Sequence, residues 1–207
     1  MIRCLVTDRR RLAARSDSLR RQCERLLDLI RAAVTDGIDL VQIRERDLSA
    51  ADLVAIVDAA IAAARGSSTR IIVNDRLDVA LACGAHGVHL RSDSVGPGDA
   101  RRITPAGFLI SRAVHTSQEA AAAGGADYVI AGSVFRTQSK PDAARLLGLD
   151  GLRAVAGASP VPVLAIGGVT PDRIDEILSA GAAGVAGIGL FLPAAQRFDR
   201  PATRSLT

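Results

Sequence analysis

The sequence predicts a single (β/α)8 TIM barrel, and two observations favour this α/β fold class. Four segments of similar sequence recur along the 207 residues, each a small-residue turn followed by a short strand: 36–44, 83–90, 124–132 and 180–189. Four further apolar segments lie between these repeats, and stretches rich in alanine and leucine separate the strands. Apolar strands that alternate with helices are typical of a parallel sheet covered on both faces. Eight of them indicate a closed barrel.

An open, doubly wound α/β sheet is the alternative fold. It needs fewer strands, and it needs a glycine-rich turn after the first strand, where this chain reads TDRR. The barrel therefore explains more of the sequence.

The elements follow one another in a regular order. We expect eight strands whose middles are marked by Ile2, Leu40, Ile71, Val88, Leu109, Val129, Val163 and Val185. The clearest helices are predicted over 19–34, 52–65, 77–83, 118–123 and 172–180, and the interval around 98–102 has room for only a short one. A chain of this length builds one domain with a sizeable core. We assign residues 1–198 to the barrel and expect 199–207, which lack apolar periodicity, to be a disordered C-terminal tail.

The composition limits the kinds of partner. Apolar residues make up 48% of the chain but aromatic residues only 2%, so stacking on nucleic-acid bases has little to work with. The net charge of +4 remains compatible with a phosphorylated small molecule. We expect the densest basic cluster, which comprises Arg9, Arg10, Arg11 and Arg15, to be a solvated loop rather than a nucleic-acid surface.

The cysteines and the hydropathy pattern indicate a cytoplasmic protein. Cys4, Cys23 and Cys83 have no metal-binding spacing, and two of them lie in apolar runs where a buried, inert thiol is expected. No apolar stretch approaches the roughly 20 residues of a membrane span, and no signal-peptide pattern follows Met1. Alanine-rich outer helices permit a homodimer.

The active site of such a barrel lies at the carboxyl ends of its strands. After strand two, Gln42, Arg44 and Arg46 share one face of an extended chain, while Val41 and Ile43 share the other. Two guanidinium groups at the barrel mouth suit a phosphate or a diphosphate. The alternative is a surface cluster of arginine and glutamate, which the position at the end of a core strand makes less attractive.

The ends of strands three and four offer oxygen ligands. Asn74 and Asp75 follow strand three, and Asp93 follows strand four, so that Asp75 and Asp93 are candidate ligands of Mg²⁺. Carboxylates are common in loops, and only the barrel geometry raises this pair above chance. His115, after strand five, could act as a general acid or base, but we expect both His115 and His89 to be packed side chains. We expect His86, which precedes its strand, to be structural.

Glycines and hydroxyl groups follow strands six, seven and eight. Gly167 and Gly168 precede a predicted helix with Thr170 as its cap and Pro171 in its first turn, which together indicate an anion site. Strand eight ends in Gly187-Ile188-Gly189, where two glycines leave further backbone N–H groups exposed. The loop after strand six is the longest and contains Thr137, Ser139 and Lys140, the only lysine of the chain. Such a loop could close over a charged substrate.

The chain resembles the thiamine phosphate synthase and TenI superfamily of (β/α)8 barrels. The matching segments read VQIRERD, IIVNDRLDVALACGAHGVHL, AVHTSQEA, ADYVIAGSVFRTQSKP, PVLAIGGVTPDRI and GAAGVAGI, and the resemblance covers residues 3 to 192. It implies a transferase that joins a hydroxymethylpyrimidine diphosphate to a thiazole phosphate and releases diphosphate. The roles it supports are catalytic for Arg44, Arg46 and Lys140, substrate-binding for Gln42, Asn74, Thr137, Ser139, Gly167, Gly168, Ile188 and Gly189, and Mg²⁺-binding for Asp75 and Asp93.

Four residues depart from the synthase pattern. Ser94 stands where that pattern has a metal-binding aspartate, Arg91 replaces a glycine, Ala113 a serine and Ser133 a proline. Three hypotheses therefore stay open: a thiamine phosphate synthase, a TenI-like thiazole phosphate tautomerase, and a non-catalytic homologue that binds phosphorylated ligands. The synthase is the first of these, although the histidine that catalyses in the TenI branch would fall at Ser133.

Overall fold

Eight parallel strands close into a barrel in the computed structural model, which describes residues 1–12, 14, 16–137 and 146–191. Each strand pairs with the next one in the chain, and β8 pairs with β1. The strands are β1 (Ile2–Val6), β2 (Leu40–Ile43), β3 (Arg70–Asn74), β4 (Gly87–Leu90), β5 (Leu109–Val114), β6 (Tyr128–Gly132), β7 (Val163–Ile166) and β8 (Gly184–Gly187). The predicted barrel is confirmed, and every residue used to mark a strand lies inside one.

Seven α-helices lie in the described residues. They are α1 (Leu19–Thr35), α2 (Ala50–Ala64), α3 (Leu77–Ala82), α4 (Pro97–Ile103), α5 (Ser117–Ala121), α6 (Gly148–Ala158) and α7 (Ile174–Ser179). Ser18, Ser49 and Thr116 begin α1, α2 and α5 by accepting a backbone N–H in the first turn. Local capping chemistry therefore explains why the predicted starts of these helices are close to the observed ones.

Glycines occur in the repeated segments for two structural reasons, a positive φ in the turn and close contact between strands. The turn glycine of each repeat has a positive φ, at Gly37, Gly84, Gly125 and Gly181. The second reason applies to Gly184 in β8, which lets β8 lie close to β1. A Cβ at Gly184 would lie 2.0 Å from the carbonyl oxygen of Ile2 across the β1–β8 seam. A larger residue at 184 would push apart the pair of strands that closes the barrel.

The apolar core has two layers. One fills the barrel with the side chains of Cys4, Val6, Leu40, Ile72, Tyr128, Ile130, Leu164 and Ala186. The other lies between the strands and the helices and includes Val41 and Ile43. Burial raises the pKa of the Cys4 thiol to about 12, which makes it inert at neutral pH. Cys23 and Cys83 are partly buried, and all three cysteines are free.

The described helices include none with the length and apolar character that crossing a bilayer requires. The predicted tail 199–207 lies outside the described residues.

Candidate active site

Gln42 lies inside the barrel just below its mouth. Its side chain is 3% exposed and its Nε2 donates to Asn74 Oδ1 at 3.0 Å, while Val41 and Ile43 pack against the helices as the alternation predicted. The Gln42 Oε1 is buried and accepts no hydrogen bond from any described residue. Because a buried acceptor without a donor is unfavourable, this oxygen points to a ligand that supplies one.

The positive charges predicted at the end of β2 converge above the barrel. Arg44 is half-buried and Arg46 is exposed; the pKa of Arg44 is lowered first by burial and then by Arg46. The buried imidazole of His89 has its pKa lowered to about 4, chiefly by burial, with further lowering from Arg44 and Arg46 against the opposing effect of Asp75. Arg112 lowers the pKa of His89 in the same direction, so several arginines around the barrel mouth act on this imidazole.

A buried ion-pair network fixes the backbone beneath these arginines. Thr7 Oγ1 accepts the N–H of Arg44 at 2.9 Å and donates to Glu45 Oε1 at 2.7 Å. Arg9 Nη1 donates to Glu45 Oε2 at 2.9 Å, and its Nη2 donates to Asp47 at 2.5 Å. Burial raises the pKa of Glu45, while Arg9 holds the pKa of Asp47 well below its usual range.

The network corrects the prediction that the first arginine cluster is a solvated loop. Arg9 is only 4% exposed, whereas the Arg10 side chain is 67% exposed and pairs with the same Asp47 at the surface. Arg15 lies outside the described residues. The prediction failed for Arg9 because its partners, Glu45 and Asp47, come from the next loop of the barrel and are remote in sequence.

Asp75 is held in a special backbone conformation at the end of β3. It is a non-glycine residue with a φ of 63°, and its N–H donates to the carbonyl of His89 at 2.8 Å. The left-handed region is unfavourable for most side chains and occurs often at functional sites. This conformation directs the Asp75 carboxylate toward the loop that follows β4.

Both oxygens of Asp75 already have partners in that loop. Arg91 Nη1 donates to Asp75 Oδ2 at 3.3 Å, and Ser94 Oγ donates to Asp75 Oδ1. The other terminal nitrogen of Arg91 donates to Asp93, whose pKa is lowered by this contact. The guanidinium thus bridges the two carboxylates that the sequence assigned to Mg²⁺.

This arrangement does not fit a magnesium ion. Mg²⁺ requires near-octahedral oxygen ligands, but a positive charge lies between Asp75 and Asp93, and Ser94 offers a neutral hydroxyl. Within the described residues no group of three or more His, Cys, Asp or Glu side chains is placed to hold a metal. The Mg²⁺ site at Asp75 and Asp93 therefore stays a prediction from the sequence.

A further arginine, not singled out by the sequence, holds the same loop in place. Arg112 donates from Nη2 to the carbonyl of Ser92 at 2.7 Å and from Nη1 to the carbonyl of Val95 at 2.8 Å. These bonds fix the loop that carries Asp93 and Ser94. Strand periodicity could not reveal them because Arg112 leaves the barrel on the face opposite to its interior.

The glycine pair after β7 lies against the loop that follows β6. Gly167 has a φ of 99° and Gly168 a φ of 64°. A Cβ at Gly168 would lie 2.5 Å from the carbonyl oxygen of Arg136, and one at Gly167 would lie 2.7 Å from Ser133 Cβ. Neither glycine N–H donates to an acceptor among the described residues. Two bare N–H groups at the mouth suit an anion, as predicted from the sequence.

The predicted helix start after this pair differs from the observed one. Pro171–Arg173 form a 3-10 turn before α7, and Thr170 makes no side-chain capping bond. The anion-binding potential of this loop therefore comes from the glycine backbone and not from the N-terminus of a long helix.

Ile188 and Gly189 lie where predicted, at the end of β8. Ile188 packs on the apolar cluster inside the barrel, and Gly189 is bare backbone beside an arginine: a Cβ at Gly189 would lie 3.7 Å from Arg11 Nη1. Arg11 was predicted to lie in a solvated loop. Only closure of the barrel brings this early residue next to β8.

The loop after β6 is described only in part. The guanidinium carbon of Arg173 lies 4.3 Å from the centre of the Phe135 ring. Thr137 is the last described residue before 138–145, which lie outside the described residues. Ser139 and Lys140 lie outside the described residues. Their predicted roles therefore stay predictions.

The three histidines have separate environments. His89 is buried and its Nδ1 lies 2.8 Å from Ser111 Oγ, which confirms the packed histidine. His86 Nδ1 accepts the N–H of Ile71 at 2.9 Å at the opposite end of the barrel, in agreement with a structural role. His115 is exposed and was wrongly expected to be packed; its Nδ1 contacts the carbonyl of Gly132.

A cavity of about 300 Å³ lies away from these residues, at the amino-terminal ends of β3 to β5. Arg70, His86 and Phe108 are among the residues that line it. No predicted site residue borders it, so the mouth at the other end remains the candidate active site.

A closed barrel with its polar side chains gathered at the carboxyl ends of the strands defines the class of (β/α)8-barrel enzymes. A family model described as thiamine monophosphate synthase matches residues 5–191. The chain belongs to this family, and the resemblance read from its motifs is confirmed.

Individual relatives agree with the family. The chain is 44% identical to a thiamine-phosphate synthase of Methanoculleus marisnigri over 161 residues, which cover 77% of this chain and 76% of that protein. It is 38% identical to one of Roseiflexus castenholzii over 204 residues, 98% of this chain and 85% of the relative. The structure of a thiamine phosphate pyrophosphorylase from Pyrococcus furiosus is similar at a TM-score of 0.77 and 32% identity, over 96% of this chain and 88% of that one.

Proposed function

We propose that this protein is a transferase of thiamine biosynthesis that makes thiamine phosphate. Its substrates are hydroxymethylpyrimidine diphosphate and thiazole phosphate, and its second product is diphosphate. The observation that supports this most directly is a mouth with two different anion-binding sides, arginine side chains after β2 and bare glycine backbone after β7 and β8, in a chain whose relatives are named thiamine-phosphate synthases. Two phosphorylated substrates need two such sides.

The arginine side binds the diphosphate of the pyrimidine substrate. Breaking the bond between the methylene carbon and the diphosphate oxygen leaves the electron pair on that oxygen, so negative charge develops on the leaving group. Arg44 and Arg46 stand where that charge grows, and Arg44 is partly desolvated, which strengthens its interaction. The network of Thr7 and Glu45 keeps the Arg44 backbone in position, so little reorganisation is needed.

The pyrimidine ring lies below the diphosphate, toward the barrel interior. The unpaired Gln42 Oε1 accepts a hydrogen bond from the amino group of this ring. Gln42 Nε2 meanwhile keeps its hydrogen bond to Asn74 Oδ1. This bond fixes the ring so that its methylene carbon faces the second substrate.

The glycine side holds the phosphate of the thiazole substrate. The N–H groups of Gly167 and Gly168 donate to the phosphate oxygens, and Gly189 lets the phosphate approach the backbone beside Arg11. The thiazole ring nitrogen then donates its electron pair to the methylene carbon and forms the new C–N bond. The electrons balance, because the pair that leaves with diphosphate is replaced by the pair from nitrogen.

The test supplies both substrates to the purified protein and follows thiamine phosphate by chromatography, in parallel with Mg²⁺ and with EDTA. We expect product only when both substrates are present. A thiazole phosphate that is tautomerised without pyrimidine diphosphate would favour the TenI-like alternative. Binding of both compounds without any conversion would favour the non-catalytic homologue.

A further inference from the structure

The side chain of Arg91 lies between the two carboxylates from which a metal site was expected. We propose that its guanidinium is a resident cation that binds the diphosphate group of the pyrimidine substrate, and that the protein therefore binds diphosphate without magnesium. This inference rests on the proposed function and adds a residue and a cation to it.

Two carboxylates hold the guanidinium of Arg91 in place. Arg91 follows β4 on the face of His89, two residues further on, and therefore points toward the barrel mouth. Its Nη1 donates to Asp75 Oδ2 at 3.3 Å and its Nη2 donates to Asp93, while the backbone N–H of Arg91 donates to Ser94 Oγ at 3.1 Å. A cation held in this way is already oriented when a ligand arrives.

Donor groups remain available on the same side chain. An arginine has five N–H groups, and the two bonds to Asp75 and Asp93 use only two of them. The Arg91 side chain is 43% exposed, so a ligand can reach the remaining donors. Guanidinium groups bind phosphate oxygens in a bidentate manner, which suits a diphosphate.

The neighbouring residues match an arginine better than a metal. Ser94 donates to Asp75 Oδ1 and accepts the backbone N–H of Arg91, so its neutral hydroxyl satisfies the Asp75 oxygen that the guanidinium leaves free. An aspartate at 94 would add a third carboxylate and could not donate that hydrogen bond. Relative to the synthase pattern, Arg91 therefore adds a positive charge at this place and Ser94 removes a negative one.

The charges are consistent with an anion at this place. Asp75 and Asp93 together carry two negative charges, and Arg91 with Arg44 and Arg46 carries three positive ones. Arg44 and Arg46 follow β2, which is separated from β4 by β3 alone, and both act on the pKa of the buried His89 in β4. The leaving diphosphate would take the electron pair of the broken C–O bond and be received by N–H donors, without any change of oxidation state.

The experiment measures binding of inorganic diphosphate by titration calorimetry, in EDTA and in Mg²⁺. We expect the wild-type Kd to change less than about twofold between the two conditions, and Arg91→Ala to weaken binding in EDTA by about 10- to 100-fold. Arg102→Ala is the matched control, because Arg102 also pairs with an aspartate but lies at the far end of α4. Diphosphate binding that needs Mg²⁺, or that is unchanged in Arg91→Ala, would overturn the proposal.

Two further variants separate this proposal from folding defects and from the proposed function. Arg91→Lys keeps the charge but cannot bridge both carboxylates, so intermediate binding is expected even if Arg91→Ala is unstable. The double variant Arg91→Gly with Ser94→Asp should acquire Mg²⁺-stimulated diphosphate binding. If wild-type protein binds diphosphate in EDTA but forms no thiamine phosphate under any condition, the proposed function fails while the Arg91 site stands. If thiamine phosphate forms but diphosphate binds only with Mg²⁺, the proposed function stands while the Arg91 site fails.

Discussion

The two halves of the barrel mouth offer hydrogen-bond donors to the proposed anionic ligands by different means. The charged half, formed by the ends of β1 to β4, presents Arg91, whose side chain is held by Asp75 and Asp93, and Arg44, whose backbone N–H donates to Thr7 Oγ1. The glycine half, formed by the ends of β7 and β8, presents backbone N–H groups at Gly167 and Gly168. The first depends on paired charges, and the second on a backbone shape that excludes side chains.

This difference determines how each half can tolerate a substitution. In the charged half, one cation or carboxylate can be exchanged for another if the partner changes with it, as Arg91 and Ser94 illustrate. In the glycine half a single added Cβ would lie 2.5 Å from a backbone oxygen, so substitution has no simple compensation. A paired charge therefore leaves more room for a compensated substitution than a crowded backbone does.

The largest expected effect tests what holds the charged half together. Arg9→Leu should lower the free energy of unfolding by about 3–5 kcal/mol, because it leaves Glu45 buried without its ionic partner. Urea denaturation of both proteins measures the difference.

Arg10→Leu is the control for this variant. Arg10 shares Asp47 with Arg9 but is exposed, so its loss should change the stability by no more than about 1 kcal/mol. Equal effects of the two substitutions would show that burial of Arg9 contributes little.

The second prediction concerns acidification of the charged half. Burial lowers the pKa of His89 to about 4 from an ordinary 6.5, so the unfolded chain binds this proton more readily than the folded one. The stability contributed by neutral His89 is complete above pH 6.5 and is lost as the pH falls toward 4, on the order of 3 kcal/mol in total. Denaturation between pH 4 and 7 should show a steeper decline for wild type than for His89→Gln, and parallel curves would contradict it.

The third prediction sharpens the division between the halves. Arg44→Ala should weaken pyrimidine diphosphate binding by about 1.5–3 kcal/mol, because a charge-assisted hydrogen bond in a partly buried place is lost. Thiazole phosphate binding should stay within about twofold of wild type. Calorimetry with each ligand alone provides the measurement, and equal losses for both ligands would mean that the two halves are not separate sites.

The fourth prediction concerns the glycine half, where a substitution should weaken the binding of thiazole phosphate rather than that of diphosphate. Gly168→Ala should cost about 1–3 kcal/mol in thiazole phosphate binding, since the residue has a positive φ and no room for a Cβ, while diphosphate binding should persist.

Gly157→Ala is the matched control for Gly168→Ala. Gly157 lies within α6, and an added Cβ there meets nothing within 4 Å, so this variant should gain about 0.5–1 kcal/mol in stability and bind both ligands normally. Thiazole phosphate binding unaffected by Gly168→Ala would remove the glycine half from the site.

Much of the site could be read from the chain because it follows strand ends. Gln42 and Arg44 share a face through strand alternation, and the glycine pair lies between a strand and a helix, so neighbours in sequence suffice to place them. The start of α7 was misplaced because Thr170 and Pro171 resemble a helix cap, whereas the chain there forms a 3-10 turn.

The sequence by itself determined the eight strands, their closure into a barrel and the family, since hydrophobic periodicity, turn glycines and motif order are local properties. Only the tertiary structure decided how charges pair. Arg91 meets Asp75 across 16 residues, and Arg9 meets Glu45 across 36. Arg11 reaches Gly189 only through the β1–β8 seam. Ion pairs between loops depend on which strand ends become neighbours, and that follows from the closed barrel rather than from any stretch of the chain.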